Sequence, residues 1–421
     1  MNFRILHISK RDTGGAGIAA LRLHRSILDS GFESKFLCLE KTTNVPQIEV
    51  FPKFYPRFYY RFLEYFGICV TNGQKNNQRL KKVHKYIQPE MYSFLRSDYR
   101  IHEHPLCDWA DIIIIHWVAG FLDYKSFFKH IHHNKQVFWY THDFSLILGG
   151  FHTLFDAVRF KNSPIQSLEN QLKVKKRSYL KDYNQLQILA NSHFSYNTII
   201  KDGFFNKKNI HFVPLGVPSK ELQIIDKSIA KQALGFGKDE FLVLTVSAQL
   251  STPLKGIDRL LEVLSNVALE ISPLKVMTLG SEPLETSIDN VDFYNMGSVW
   301  NPNFKSIIFS AADVLVSSSY EETFGQTIIE GYACGTPAIV FNNGALPELV
   351  EPGKTGFIAT DVKDFSKHLM AMIQDRSIGV TLGQNSLTLF QRRYTSKHQV
   401  KKIIELFTSK TEVKSDNSAD E

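Results

Sequence analysis

The sequence is short of the features that would staple it, stretch it into a fibre or bury it in a membrane. Its four cysteines, Cys38, Cys69, Cys107 and Cys334, stand singly along 421 residues. Without a CxxC or other paired spacing they make neither a disulfide framework nor a zinc module, and reduced thiols are expected. Glycine (24) and proline (15) are too few and too scattered for a collagen-like or low-complexity chain. Apolar runs are short: Ile112–Ile115 is closed by Asp111 and His116, and nothing approaches the roughly 18 residues of a membrane-crossing helix. The start, Phe3-Arg4-Ile5-Leu6-His7-Ile8, reads as a strand and lacks the basic region and apolar stretch of a secretory leader, so a cytoplasmic protein is expected. What is present is the mix of a folded protein, 43% hydrophobic, 12% aromatic and 22% charged. The length suits two domains of about 200 residues each.

The net charge of +7 is unevenly spread. Residues 1–215 carry 30 Lys+Arg against 17 Asp+Glu, whereas residues 216–421 carry 19 against 25. The positive half contains an aromatic stretch from Phe51 to Phe66, interrupted by Lys53, Arg57 and Arg61, and then Lys75, Arg79, Lys81, Lys82 and Lys85. Two readings stand side by side. Basic residues interleaved with Phe and Tyr suit the surface of an anionic membrane; alternatively the charges are a solvated face and the aromatics belong to the core. Nucleic acid is not expected, because no zinc-finger spacing or RNP-like strand accompanies the charges.

Short β-rich runs alternate with helical patterns through both halves. Phe3–Ile8, Ser34–Leu39, Asp111–His116, Gln136–Tyr140, Leu186–Ala190 and His211–Val213 read as strands of the first half. Phe241–Val246, Lys275–Leu279, Val291–Asn295, Asp313–Ser317 and Pro337–Phe341 read as strands of the second. Helical patterns cover Ile18–Leu28, Ile257–Leu269, Asn303–Ser310, Thr327–Ala333 and Asp364–Gln374. Alternation of this kind argues an α/β protein with a parallel sheet in each half. The boundary falls near Pro214-Leu215-Gly216-Val217-Pro218.

Four constellations carry candidate chemistry. Gly14-Gly15-Ala16-Gly17 follows the first strand and opens a helix, where close backbone approach and unpaired N–H groups suit a phosphate, or simply make a tight turn. Lys255-Gly256 stands at another strand-to-helix junction, where a lysine can neutralise a diphosphate or lie on the surface. Glu322 and Glu330 flank Phe324-Gly325-Gln326-Thr327. A helix starting there puts Glu330 about a turn and a half inside and leaves Glu322 in the preceding loop. One carboxylate then reaches ribose hydroxyls and the other the group beyond the phosphates, with amides between them facing the anion. His116-Trp117 and His142-Asp143 close two further strands on the rim where doubly wound sheets bind ligands.

Together these residues resemble the family 4 glycosyltransferases, glycosyl transferases group 1. The ordered series is Ala311-Ala-Asp-Val-Leu-Val, Glu322-x7-Glu330, Ala333-Cys-Gly-Thr-Pro337, Gly344-x-x-Pro347-Glu348 and Gly353-x-x-Gly356. Thr141-His142-Asp143 with Gly149-Gly150 is similar to the branch that builds bacterial exopolysaccharides and surface polysaccharides. The resemblance covers roughly Phe3 to Tyr394. It implies the GT-B fold, two Rossmann-like domains facing each other across a deep crevice. Residues 1–217 would take the acceptor and include the basic insert at about 51–100; residues 218–388 would take the donor. A helix over 389–408 would pack back towards the first domain, and 409–421 would be a disordered tail.

The resemblance also implies roles. His142 and Glu322 would act at the transferred sugar. Gly14, Gly15, Lys255, Phe324, Gly325, Gln326, Thr327 and Glu330 would bind a UDP- or GDP-sugar, with Glu330 on the ribose. Gln249 stands nearest to where many members have an arginine, which leaves the diphosphate leaning more on Lys255. His116, Trp117 and Asp143 would lie on the acceptor side. No Asp-x-Asp pair is present to hold a metal with a nucleotide sugar, so no metal or other cofactor is expected. The implied reaction is retaining transfer to a saccharide, lipid-linked at a membrane the protein visits peripherally. A nucleotide-sugar 2-epimerase of the same fold and a non-catalytic glycan-binding relative are the alternatives.

Overall fold

Among the described residues, thirteen strands, all in parallel pairings, make two separate sheets. A computed structural model describes residues 3–45, 47–52, 58–271, 273–284 and 286–416, without the side chains of 58–61 and 409–416. The chain divides into one unit of Met1–Val213 with Lys402–Glu421 and a second of Pro214–Lys401.

The first unit contains β1 (Arg4–Arg11), β2 (Glu33–Glu40), β3 (Ile48–Val50), β4 (Ile112–Ile115), β5 (Gln136–Tyr140), β6 (Gln187–Ala190) and β7 (Ile210–Phe212). They lie in the order β3-β2-β1-β4-β5-β6-β7. All four isoleucines of β4 are buried, as expected of a parallel strand covered on both faces. β3 was not read as a strand from the sequence; it is a three-residue edge strand with Glu49 and Val50 exposed, so neither length nor alternation marks it. Phe407, in the helix Ser396–Asp416, is fully buried against Phe3 and Phe138 of this unit.

The second unit contains β8 (Leu242–Val246), β9 (Leu274–Leu279), β10 (Val291–Asn295), β11 (Val314–Ser317), β12 (Ala338–Phe341) and β13 (Gly356–Ala359), ordered β10-β9-β8-β11-β12-β13. The helix Ile257–Ala268 shows how it is held: Leu260, Val263, Leu264 and Val267, spaced i, i+3, i+4 and i+7, are completely buried. Each such side chain contributes about 1.5–3 kcal/mol of apolar burial.

In both sheets the order reverses direction beside the first strand of the unit, between β1 and β4 and between β8 and β11. Loops leaving the carboxyl ends of these strands diverge there and leave room for a ligand. Chain ends differ from the sequence expectation in detail. The span expected as one helix over 389–408 is shared between helices Arg376–Arg393 and Ser396–Asp416. The second of these takes in part of the tail expected to be disordered, and 417–421 lie outside the described residues.

Candidate functional site

Beside its switch point the second unit brings Lys255 into contact with Glu322, and Gln326 into contact with Glu330. Lys255 ends a short 3-10 turn, Pro253–Lys255, between β8 and the helix Ile257–Ala268. The backbone turns into that helix at Gly256, with φ of +60°. A Cβ there would stand 2.1 Å from the carbonyl oxygen of Ser318, so only glycine fits. Ser318 Oγ donates to the Lys255 carbonyl at 2.8 Å. The guanidinium of Arg259 donates to the carbonyls of Ser318 and Ser319 at 2.6 and 2.5 Å. The turn after β8 is thereby laced to the loop after β11, and the lacing brings Lys255 Nζ to 2.7 Å from Glu322 Oε1. Ser319 Oγ donates to the same oxygen at 2.9 Å.

Gly325 caps the helix Gln326–Ala333, which makes Glu330 its fifth residue and leaves Glu322 in the preceding loop, the placement the spacing implied. Glu330 is 1% exposed. Its Oε2 meets Lys305 Nζ at 2.7 Å, and its Oε1 accepts from Gln326 Nε2 at 3.3 Å. The two glutamates thus pair with different lysines. Phe324 is buried and packs edge-on to Tyr394, Thr327 is half-buried on the first turn, and Gln249 is exposed in the loop after β8.

In the first unit Gly14 and Gly15 start the helix Gly14–Asp29, and a Cβ on either would meet no protein atom within 4 Å. The space above this helix end is open. Gly17 is different, since a Cβ there would sit 2.7 Å from the Arg11 carbonyl oxygen. Asp12 accepts from the amides and hydroxyls of Thr42 and Thr43 at 2.6–3.1 Å, tying the loops after β1 and β2 together. Burial by itself raises the Asp12 carboxyl, but these bonds outweigh it and hold the group below its ordinary value.

His116 and His142 are brought into direct contact, Nδ1 to Nε2 at 2.9 Å. Trp117 carries Lys10 and Arg11 over its ring at 5.5 and 6.0 Å from the centroid. Asp143 turns into its own loop, accepting from Ser145 N at 2.9 Å, from Ser145 Oγ at 2.6 Å and from His152 Nδ1 at 2.5 Å. Burial lifts its carboxyl; His152 and the bonds from Ser145 bring it below the ordinary value. His152 in turn meets Ser93 Oγ through Nε2 at 2.8 Å.

Several contributors escaped the sequence reading. Glu169 accepts from the amides of Gly149 and Gly150 at 2.5 and 2.6 Å. Buried Lys176 donates to the carbonyls of Ser145, Leu148 and Gly149. This ion-and-amide brace fixes the loop that follows β5 and hence the stretch around Asp143. Lys305 and His7 were missed too, since neither stands in any of the four constellations. Among the described residues, no group of three or more His, Cys, Asp or Glu could hold a metal ion.

Residues 240–375 match the family model described as glycosyl transferases group 1, a span that contains Lys255, Lys305, Glu322 and Glu330. A curated relative, the capsular polysaccharide biosynthesis glycosyltransferase CapM of Staphylococcus aureus, is 24% identical over 221 residues, 50% of this chain and 55% of that protein. The chain therefore matches about half the length of that relative. Sucrose-phosphate synthase from Thermosynechococcus elongatus superposes with a TM-score of 0.66 at 17% identity, covering 98% of this chain and 100% of that one. Anabaena HepE in complex with UDP-glucose superposes with a TM-score of 0.63 at 16% identity, covering 97% and 100%. Residues 240–375 are thus similar to the glycosyl transferases group 1 family, and the chain that carries them has the GT-B fold of two Rossmann-like domains.

Proposed function

We propose that the chain is a retaining glycosyltransferase that moves a hexosyl group from a nucleotide sugar to a saccharide acceptor during assembly of a bacterial surface polysaccharide. The observation that carries this reading is the Lys255–Glu322 pair at the switch point of a unit similar to group 1, with Glu330 one helix turn further on. CapM supports the polysaccharide setting by its description, and HepE, described in complex with UDP-glucose, makes a uridine donor the first to try.

In this reading Glu330 binds the ribose hydroxyls and Gln326 with its neighbours' amides faces the phosphates. Lys255 stabilises the negative charge that grows on the diphosphate as the C1–O bond breaks. The acceptor oxygen bonds to C1 on the same face, and its proton passes to the departing phosphate. Cation and amides supply what a metal would otherwise supply, so the transfer is metal-independent. Glu322, held by Lys255 and Ser319, is oriented towards the transferred sugar.

The experiment is a melting-temperature screen of the full chain against UDP- and GDP-sugars, since a ligand at about 100 times its Kd stabilises by about 2.7 kcal/mol. A donor found this way is then incubated with saccharide and lipid-linked acceptors, and the anomeric configuration of the product is read by NMR. Absence of any shift across the panel sinks the reading, and an epimerised sugar formed without acceptor replaces it with the epimerase.

A further inference from the structure

A cavity of about 390 Å³ opens between the helices Asn72–His84 and Gln166–Lys181 of the first unit. Its floor is an edge of that unit's core. Val83, Ile165 and Leu172 are 1%, 5% and 8% exposed there, and half-buried Leu168 packs against the same core. Tyr86, just past the first helix, lines the cavity with 56% of its surface exposed. Arg79, Lys82 and Lys175 line it as well. Helical spacing puts apolar and basic residues on one face: Arg79, Lys82 and Val83 stand at i, i+3 and i+4, and Leu168, Leu172 and Lys175 at i, i+4 and i+7.

The charge around this floor is of one sign. Among the described residues no Asp or Glu lines the cavity. None of the three cations has an ion-pair partner among them either. Neighbours on the second helix behave otherwise, since Lys173 and Arg177 are both neutralised by Asp202. Arg79 lies over the ring of buried Phe94, 5.9 Å from its centroid. The volume is within the roughly 300–1,000 Å³ of small-molecule sites.

An anion joined to a hydrocarbon chain is the complement of such a surface. A free inorganic anion would leave the apolar floor in water, and an uncharged lipid would leave three cations unused. A zwitterionic head would bring an ammonium group that no carboxylate is there to meet. We propose that the cavity binds an anionic phospholipid, with the phosphate on Arg79, Lys82 and Lys175 and the start of an acyl chain against Leu168 and Tyr86. The arginine fork can take two phosphate oxygens, and the lysines act as point charges. This site goes beyond the transferase reading and uses none of the residues assigned to donor or acceptor. It is also separate from the exposed rings of Phe62, Tyr65 and Phe66, which suit any bilayer surface rather than one lipid.

The test uses the full chain and no sugar. Calorimetric titrations are run with dihexanoyl phosphatidylglycerol below its micelle concentration, with dihexanoyl phosphatidylcholine and with inorganic phosphate. Expected is saturable binding of the phosphatidylglycerol, with the other two at least about tenfold weaker. The variant Arg79→Gln/Lys82→Gln/Lys175→Gln, at three exposed positions and checked by its melting curve, should bind the phosphatidylglycerol about tenfold less tightly and with little dependence on salt. A diazirine on the acyl chain of the same lipid should crosslink to Tyr86 or to residues 165–172. Phosphate or phosphatidylcholine binding as tightly as the phosphatidylglycerol overturns the proposal, as does the absence of saturable binding. Crosslinks confined to residues 62–68 place the chain on the exposed rings and overturn it too. Should the triple variant fail to fold, the wild-type titrations and the crosslink decide. With no donor or acceptor in any arm, failure here is distinct from failure of the transferase reading.

Discussion

Lys255 Nζ and Glu322 Oε1 stand 2.7 Å apart, each side chain 25% exposed, and they come from loops 67 residues apart that meet at the switch point of the second sheet. An ion pair this accessible contributes little to stability. Its chemical meaning lies in what each partner does when a diphosphate competes for the lysine. Lys255→Ala is expected to cost about 100-fold or more in kcat, the size of effect seen when one donor to a developing oxyanion is removed. Donor KM should change much less. Steady-state kinetics with the donor found by melting will check this, and a purely KM effect would contradict the assigned role.

Glu330 is expected to act on ground-state binding. Glu330→Gln keeps the shape of a buried side chain but loses the charge opposite Lys305. Nucleoside diphosphate affinity should fall about tenfold, equivalent to about 1.4 kcal/mol. Glu330→Ala goes further, because it leaves the part-buried Lys305 ammonium without its carboxylate partner, and it should lower stability by about 2 kcal/mol, short of the cost for a fully buried charge. Calorimetric titration and urea melts separate the two effects.

Much of this arrangement was readable from sequence. Parallel strands buried on both faces appear as apolar runs, which is why Ile112–Ile115 and Ala338–Phe341 stood out. Glu322 and Glu330 could be placed as loop and helix because Gly325 marks the helix start. Pairings across the fold were not readable. That Lys305 faces Glu330 depends on the helix Pro302–Ala311 lying beside Gln326–Ala333, and no local pattern encodes that. His7 occupies an inward position of β1 where an aliphatic residue would serve equally well for packing. Only the strand order, which sets β1 beside β4, reveals its partner.

The buried histidines make stability depend on acid. Burial lowers His24 and His142 to about 4, and it holds His7 and His116 well below their ordinary value. With folded values below the unfolded value of about 6.5, the unfolded chain binds more protons as pH falls below 6.5. Their stabilising contribution is therefore complete above about 6.5 and is lost as pH drops towards 4. Each histidine removes up to about 1.4 kcal/mol per pH unit in that window. Urea melts at pH 7, 6 and 5 should show the loss, and His24→Leu should flatten it by about one histidine's share.

Metal independence is tested directly. With Lys255 and helix-end amides assigned to the diphosphate, activity after EDTA treatment should match the untreated enzyme within about twofold, well short of the several kcal/mol a catalytic metal supplies. Activity that collapses with EDTA and returns with Mg2+ would remove the basis of this assignment.

Membrane contact is the last expectation, and the structure gives it a specific surface. In and after the helix Phe58–Tyr65, Phe62, Tyr65, Phe66 and Ile68 are 55%, 86%, 63% and 53% exposed. Phe51, by contrast, packs on the first unit's core, and residues 53–57 lie outside the described residues. The helix Asn72–His84 follows and carries Lys75, Arg79, Lys81 and Lys82. Among the described residues no helix is long and apolar enough to cross a membrane; the attachment expected from these exposed rings and cations is peripheral. Exposed rings can enter the headgroup region, and each nearby lysine or arginine adds about 1 kcal/mol on an anionic surface. Salt screens the second contribution over a Debye length of about 8 Å and leaves the first. Co-sedimentation should therefore be strong with anionic vesicles at low salt, weaker but present at high salt, and weak with neutral vesicles. Replacing Phe62, Tyr65 and Phe66 with serine should remove the salt-resistant part while leaving the melting temperature unchanged, because these rings bury little of themselves in the protein. Absence from both pellets at low salt would assign the exposed rings to some other partner and the transfer to a soluble acceptor.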